Sequence, residues 1–542
     1  MGSIARHNDL FEYTSGRFLF NEELRRSERR VIFNIDALAT AICTATNRPT
    51  SNPPSITKLA EGGFNRILQA RFNDGYAIIA RIPYHTVRPV QYAVASEAAT
   101  LDFLRSRGVP VPKVIGYSAV KNDVGTEYLL LEKVEGIPLS DQWFTMDTKT
   151  RVKVMRQIVD VERRFMNIEL PANGSLYYQR DLKPGHHSIP VSESSHTLDR
   201  IVLGPSAQYE WWYQERDLLE VDRGPWENFL ACFNAPAKRE IEFCKRFGKS
   251  RLHVERYLRE IHEFQPRLPA IHIELLSQYL KLTPFLTLPP THRFSRPVLR
   301  HPDFSPSNIL LNSSNDIVAV IDWQHAVVLP LCLCAGIPKY YQNWGDIMSE
   351  KPAKPEVRLP EIFETMSSEE QSNLQETMRK RLVHFYYAAL TMQHMPDHFD
   401  ALRDENTMLR TKLFDRAGAP WEGDSISLKY TIWQAQCNWP MPILGEDQAT
   451  DTHACPVTYS DDEVQRCIKE HDEEGEKMQE LTEMRELIGT DALGWVPDNE
   501  HLENANAVVN SIRAGLLQYS ETEEERIAVR DHFPFDDYDE DA

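Results

Sequence analysis

Apolar and polar positions alternate in three short runs, residues 55–59, 64–72 and 76–84, and alternation with period two predicts strands. Asn73-Asp74-Gly75 separates the last two. Asp-Gly is a strong hairpin signal, because tight hairpin turns need residues that tolerate positive φ. Over 91–107 the period lengthens to that of a helix, with Ala95, Ala98, Leu101, Phe103 and Leu104 near one face and Gly108 closing it. Two more strand-like runs follow at 113–118 and 127–134, the second apolar enough for a sheet interior. Five strands with one helix after the third predict an α+β unit over 51–136, ended by the break Gly136-Ile137-Pro138.

Beyond that break helical periodicity dominates, over 147–169, 225–247, 271–279 and 368–394. The last is opened by Ser367-x-x-Glu370, a capping-box pattern. A short β island at 298–328 interrupts the helices. An N-terminal extension, 1–50, carries one predicted helix over 30–45. A C-terminal extension, 461–542, carries amphipathic helices over 463–487 and 504–519 and ends in an acidic stretch, 531–542, that reads as disordered. The fold class is therefore α+β, with two lobes: a small β-rich N-lobe with one helix, and a larger, mainly helical C-lobe over 137–460.

At 542 residues, the chain is long enough for two to four compact units, each with its own core. Its 8 cysteines lack zinc-ligand spacing and read as reduced thiols of an intracellular, soluble protein. The longest apolar stretch, 326–338, is too short to span a bilayer, and no secretory signal is recognisable. Asp9, Glu12, Glu22, Glu23 and Glu28 speak against a mitochondrial presequence.

The net charge of −20 argues against a nucleic-acid partner, yet its distribution is uneven. Residues 461–542 hold 25 Asp and Glu against 7 Lys and Arg, a net of −18, so the body is nearly neutral. The acidic segment reads as a solvated cap on the helical lobe, with a surface for a protein partner as the alternative.

The β island contains His301-Pro302-Asp303, then Asn308, and fourteen residues after that Asn a strand ends at Asp322. A hairpin of this kind brings Asp303, Asn308 and Asp322 towards one end. Two oxygen donors there suit Mg²⁺, which takes few protein ligands and completes its shell with water and phosphate oxygens. The spacing is that of phosphotransfer catalytic loops: Asp303 would orient or deprotonate an attacking hydroxyl, Asn308 and Asp322 would hold Mg²⁺, and His301 would brace the loop. Plain turn-capping carboxylates are the simpler alternative.

In the N-lobe, Gly62, Gly63, Phe64 and Asn65 lie between the first two strands, where paired glycines let backbone N–H groups approach phosphates. Arg81 sits inside the apolar third strand and needs a partner. Glu97 on the following helix is the natural one, giving an ion pair that positions the cation over phosphates. At the end of the fifth strand, the Glu132 carbonyl and the Val134 N–H are placed to bond an adenine edge.

Taken in order, EGGFN, AIIARIPY, SEAATLDFLRSRGVPVPKVIGYS, YLLLEKVEGIPLSDQW, HPDFSPSN and IDWQHAVVLPL resemble the aminoglycoside phosphotransferase and choline kinase family, of protein-kinase-like fold. The resemblance is strongest to its fungal phosphotransferase group, which includes altered inheritance of mitochondria protein nine. It implies ATP and Mg²⁺ as cofactors, transfer of a phosphoryl group to a hydroxyl of a small-molecule acceptor, and a mitochondrial rather than cytoplasmic address as one option. Three departures stand out: Ser305 where relatives often carry a second His, no second spaced glycine, and Arg81 in place of the usual Lys. An inactive, nucleotide-binding kinase-like scaffold is the alternative these departures raise.

Overall fold

The computed structural model describes residues 8–120, 122–191, 200–350, 353–356, 358–443 and 454–540. The N-terminal chain gives a two-residue strand β1 (Arg17–Phe18), a short helix Glu22–Glu28, and helix α1 (Ile35–Ala45). Helix α1 starts five residues later than its apolar pattern, because Asn34 caps it by accepting from Ala37 N at 3.1 Å. The five predicted strands follow as β2 (Ser55–Glu61), β3 (Asn65–Arg71), β4 (Ala77–Pro83), β5 (Val114–Ser118) and β6 (Tyr128–Glu132), with helix α2 (Tyr92–Ser106) between β4 and β5. They form one antiparallel sheet in the order β2-β3-β4-β6-β5. The Asp74-Gly75 turn closes its hairpin, with Gly75 at φ 91° and Asp74 Oδ1 accepting from Tyr76 N at 3.1 Å. One face of β3 and β4 buries Leu68, Ala70, Ile78, Ala80 and Ile82 against Phe33, Leu38 and Ile42. Alternation therefore turns Arg81 to the other face.

Helix α2 departs from the one-faced reading: twelve of its fifteen residues, from Tyr92 to Leu104, are buried. The cause is a small sheet that the sequence pattern did not reveal. Strands β8 (Ser175–Tyr178), β9 (Ile189–Pro190) and β10 (Ile201–Gly204) pair in the order β8-β10-β9, and β8 packs on α2, with Leu176 and Tyr177 in one core with Ala95, Ala98 and Leu101. Four-residue strands are too short to display alternation. Small side chains at 95, 96 and 98 face that sheet, while Ala93 packs with the five-stranded one.

The larger lobe begins at β7 (Ile137–Pro138), which pairs with β12 (Ile309–Leu311); β13 (Ile317–Val320) completes that sheet. Strands β11 (Pro297–Arg300) and β14 (Val327–Pro330) pair beside it. Around them stand α3 (Thr148–Met166), α4 (Phe229–Arg246), α5 (Pro269–Leu286) and α6 (Ser368–His394), the last begun by the predicted Ser367–Glu370 capping box. Three further helices were not anticipated: α7 (Pro396–Arg403), α8 (Glu405–Gly418) and α9 (Ile426–Cys437). Pro396 starts α7, and Asp404 caps α8 by accepting from Thr407 N at 2.8 Å. Among the described residues no helix is long and apolar enough to cross a membrane, and the cysteines are free.

The C-terminal extension consists of α10 (Asp461–Ile488), β15 (Trp495–Val496), α11 (Asn499–Tyr519) and α12 (Glu523–His532). It packs on the C-lobe through Arg485 to Glu255 at 2.7 Å and Lys477 to Glu260 at 2.9 Å. The expectation of a disordered tail over 531–542 is corrected here, its last two residues lying outside the described ones. Phe533 and Phe535 are buried with Phe20, Leu481, Val496 and Val509. Asp537 Oδ1 accepts from Asn21 N at 2.5 Å, Tyr538 N donates to Asn21 Oδ1 at 2.9 Å, and Glu540 pairs with Arg25. Each buried Phe contributes about 1.5–3 kcal/mol of apolar burial, enough to order a short acidic segment whose carboxylates also find partners. Phe535→Ala should destabilise the protein by about 3 kcal/mol and expose the segment after residue 532 to protease, measured by urea unfolding and limited proteolysis.

Candidate active site

Three loops meet between the lobes, and their positions follow from backbone bonds. The segment after β11 turns through Asp303, and the one after β13 turns at Asp322, which has φ 64°. A non-glycine residue held in the left-handed region is uncommon and is characteristic of functional turns. The two turns are registered by Ile321: its N–H donates to Asn308 O at 2.9 Å, and its carbonyl accepts from His301 Nε2 at 2.9 Å. His301 Nδ1 in turn accepts from Asp303 N at 3.1 Å. The imidazole is thus a neutral tautomer with its proton on Nε2, packed on Trp323 with ring centroids 4.5 Å apart. Burial pushes it down to about 4.

Asp303 is exposed, while Asn308 is buried beside it. The Asp303 carboxylate is held through one oxygen only: Oδ2 accepts from Ser305 Oγ at 3.1 Å and from Asn308 Nδ2 at 3.0 Å. Asp303 Oδ1 and Asn308 Oδ1 have no hydrogen-bond partner among the described residues. Ser305, which the sequence reading marked as a departure, is therefore a second donor that fixes Asp303.

From the N-lobe, Arg81 reaches across the cleft. Its Nη1 donates to Glu97 Oε1 at 2.5 Å, the expected pair, and its Nη2 donates to Asp322 Oδ1 at 2.8 Å and Gln324 Oε1 at 3.1 Å. Burial alone would raise the Asp322 carboxyl, but the Arg81 charge and hydrogen bond outweigh it and hold it below its ordinary value. Burial lifts the Glu97 carboxyl, with the Arg81 charge pulling it back. The buried Arg81 Nε has no partner, and neither does Asp322 Oδ2 among the described residues.

Gly62 and Gly63 are exposed at the cleft mouth. Phe64 packs edge-on to His325 at 5.2 Å and against Tyr209 at 5.7 Å, and Asn65 Nδ2 donates to Gln324 Oε1 at 2.5 Å. Gln324, His325 and Tyr209 were missed in the sequence. Only the place of the first two, just beyond Asp322, could have flagged them. At the hinge, Glu132 N donates to Lys113 O at 2.9 Å, and its carboxylate accepts from Lys113 N at 3.1 Å. The Val134 N–H has no partner among the described residues.

A model of the phosphotransferase enzyme family matches residues 56–332, a span that takes in all of these groups. A subtelomeric hrmA-associated cluster protein of Aspergillus fumigatus is 33% identical over 90% of this chain and 98% of its own length. The chain belongs to the phosphotransferase enzyme family. Members related to it include the protein named altered inheritance of mitochondria protein 9, mitochondrial, of Candida glabrata, 23% identical over 94% of this chain and 89% of its own. Among solved phosphotransferases, the streptomycin–ATP complex of APH(2")-IIa aligns with 74% of this chain and 96% of that one, at 13% identity and a TM-score of 0.35. The α+β, protein-kinase-like architecture of the family is the one described above.

His301 gives a pH prediction. The unfolded imidazole takes up its proton near 6.5, the native one only near 4, so stability is lost as pH falls between those values and is level below them. The loss is on the order of 3 kcal/mol. Urea unfolding from pH 7 to 4 should show a steeper decline for the native sequence than for His301→Gln.

Proposed function

We propose that this family member is an ATP- and Mg²⁺-dependent kinase that moves the γ-phosphoryl group to a hydroxyl of a small molecule. The observation that carries the reading is the set of unpartnered polar atoms around one cleft: Asp303 Oδ1, Asn308 Oδ1, Asp322 Oδ2 and Arg81 Nε. Of these, Arg81 Nε is buried, where an unpaired polar group is costly; Asp303 and Asp322 are open to solvent, so their free oxygens are available to a ligand. The donor set fits Mg²⁺, with Asn308 Oδ1 and Asp322 Oδ2 as hard oxygen ligands and phosphate oxygens to complete the shell. The ion, when bound, would neutralise phosphate charge.

Asp303, fixed through Oδ2, offers Oδ1 to the acceptor hydroxyl. It orients that oxygen for in-line attack and takes its proton as the bond to phosphorus forms and ADP leaves. Arg81, its direction fixed by Glu97, sets a positive charge beside the phosphate site. The Val134 N–H is the donor for an adenine edge. Gly62 and Gly63 leave room for phosphates against the loop backbone. The relatives named mitochondrial make a mitochondrial address part of this reading.

One observation favours the alternative of a nucleotide-binding scaffold: Arg81 already occupies Asp322 Oδ1, so metal and guanidinium share one carboxylate. The two readings separate by experiment. Purified protein with labelled ATP and a metabolite mixture should yield a phosphorylated small molecule, and Asp303→Ala should lower that rate by roughly 10²–10⁴-fold while leaving ATP affinity within about twofold. Metal-dependent ATP binding with no product across the mixture would support the scaffold instead. Arg81→Met should weaken ATP binding by at least about tenfold in a calorimetric titration, on either reading.

A further inference from the structure

Four consecutive residues near the N-terminus alternate between two distant parts of the chain. Tyr13 OH accepts from Trp495 Nε1 of the C-terminal extension at 2.9 Å. Thr14 N and Ser15 Oγ both donate to Glu61 Oε2 at 2.8 Å, one residue before Gly62. Gly16 then lies under the Trp495 ring, so close that a Cβ there would stand 2.2 Å from Nε1. Immediately beyond, Arg17 and Phe18 pair with Val496 and Trp495 as β1 and β15.

Glu61 is the point where this ladder meets the glycine loop. Its side chain is fully buried, and its other oxygen accepts from Arg66 Nη2 at 3.1 Å and faces Lys58 Nζ at 3.3 Å. Burial would raise its carboxyl, but the Thr14 N–H, Ser15, Lys58 and Arg66 together hold it below its ordinary value, so it stays ionised. Arg66, itself buried, also donates to Leu10 O at 3.0 Å and Phe11 O at 2.7 Å, fastening the same N-terminal segment. Gly63 has nothing within 4 Å of where a Cβ would be. The loop tip is therefore held from its two ends, by Glu61 on one side and by Asn65 with Gln324 on the other.

We infer that Glu61 is a positioning residue for the phosphate-binding loop, and that the C-terminal extension acts on that loop through residues 13–16. The inference rests on the proposed nucleotide role of the loop. A loop with two adjacent glycines loses much backbone entropy when it closes on a ligand. Anchoring one of its ends before binding removes part of that loss and appears as nucleotide affinity. Hydrogen bonds to a buried charged carboxylate are among the stronger ones, and Glu61 accepts several.

The test uses the full-length protein and ATP itself as the probe. Ser15→Ala removes one exposed hydroxyl, Ser15→Thr keeps it, and Trp495→Phe and Gly16→Ala break the ladder away from the loop. Ser15→Ala and Trp495→Phe should each raise the ATP dissociation constant and KM by about threefold to tenfold, with kcat within about twofold and melting temperature nearly unchanged. Amide hydrogen exchange at residues 62–65 should accelerate in both and return to the native rate in Ser15→Thr. Gly16→Ala should show the same exchange pattern at larger amplitude. Native exchange at 62–65 together with native ATP affinity in Ser15→Ala and Trp495→Phe would overturn the inference. Failure of the native protein to bind ATP would sink the kinase reading, while faster exchange at 62–65 in the variants would still establish the ladder.

Discussion

A guanidinium buried between two lobes must be neutralised, and much of the architecture around Arg81 answers that requirement. Its side chain is 9% exposed, against 4% for Glu97 and 46% for Asp322. An unpaired charge at that depth would cost several kcal/mol. Glu97 meets it only if α2 is held in place, and α2 is held between β5 and β6 of the sheet and β8 of the small one. Asp322 meets it only if the C-lobe turn at φ 64° is kept, which the Ile321 backbone bonds secure. A single cation thereby ties sheet, helix and the turn at Asp322 to one another.

The carboxylates of the cleft are differentiated by surroundings rather than by residue type. Asp303 faces solvent and is steered by two neutral donors, Ser305 and Asn308. Asp322 answers a cation and keeps its negative charge. Glu97 is buried, pairs with the guanidinium and also accepts from the Trp323 backbone. Separate environments of this kind let chemically similar groups take separate tasks in one site.

The N-lobe sheet was legible because alternation and the Asp74-Gly75 turn are local signals. Arg81 with Glu97 was legible because a charge inside an apolar strand demands a partner. Asp303 and Asn308 stood out by spacing, and the structure brings them within hydrogen-bond distance. What stayed hidden depends on tertiary partners. The strands at 175–178 and 201–204 were too short to show a period, and α7 and α8 follow α6 with one-residue breaks. The last residues were misjudged because acidic composition masked Phe533, Phe535 and Tyr538, whose spacing matters only once Phe20 and Arg25 are beside them. Glu61 gave no signal of its link to the N-terminal segment, since Thr14 and Ser15 lie 47 and 46 residues upstream.

Pairing β1 with β15 joins positions 17 and 496, and the closing of Asn21 on Asp537 joins positions still further apart. Chains grow from the N-terminus, so the first strand waits for nearly the whole polypeptide to leave the ribosome before it has a partner. Contacts of such sequence separation are slow to form, since the loop-closure entropy comes before any reward. The N-lobe core can assemble early, but completion of its outer layer is deferred until translation ends. A message truncated between the codons for His325 and Trp495 yields a product that carries every residue of the cleft and lacks the finished support behind it.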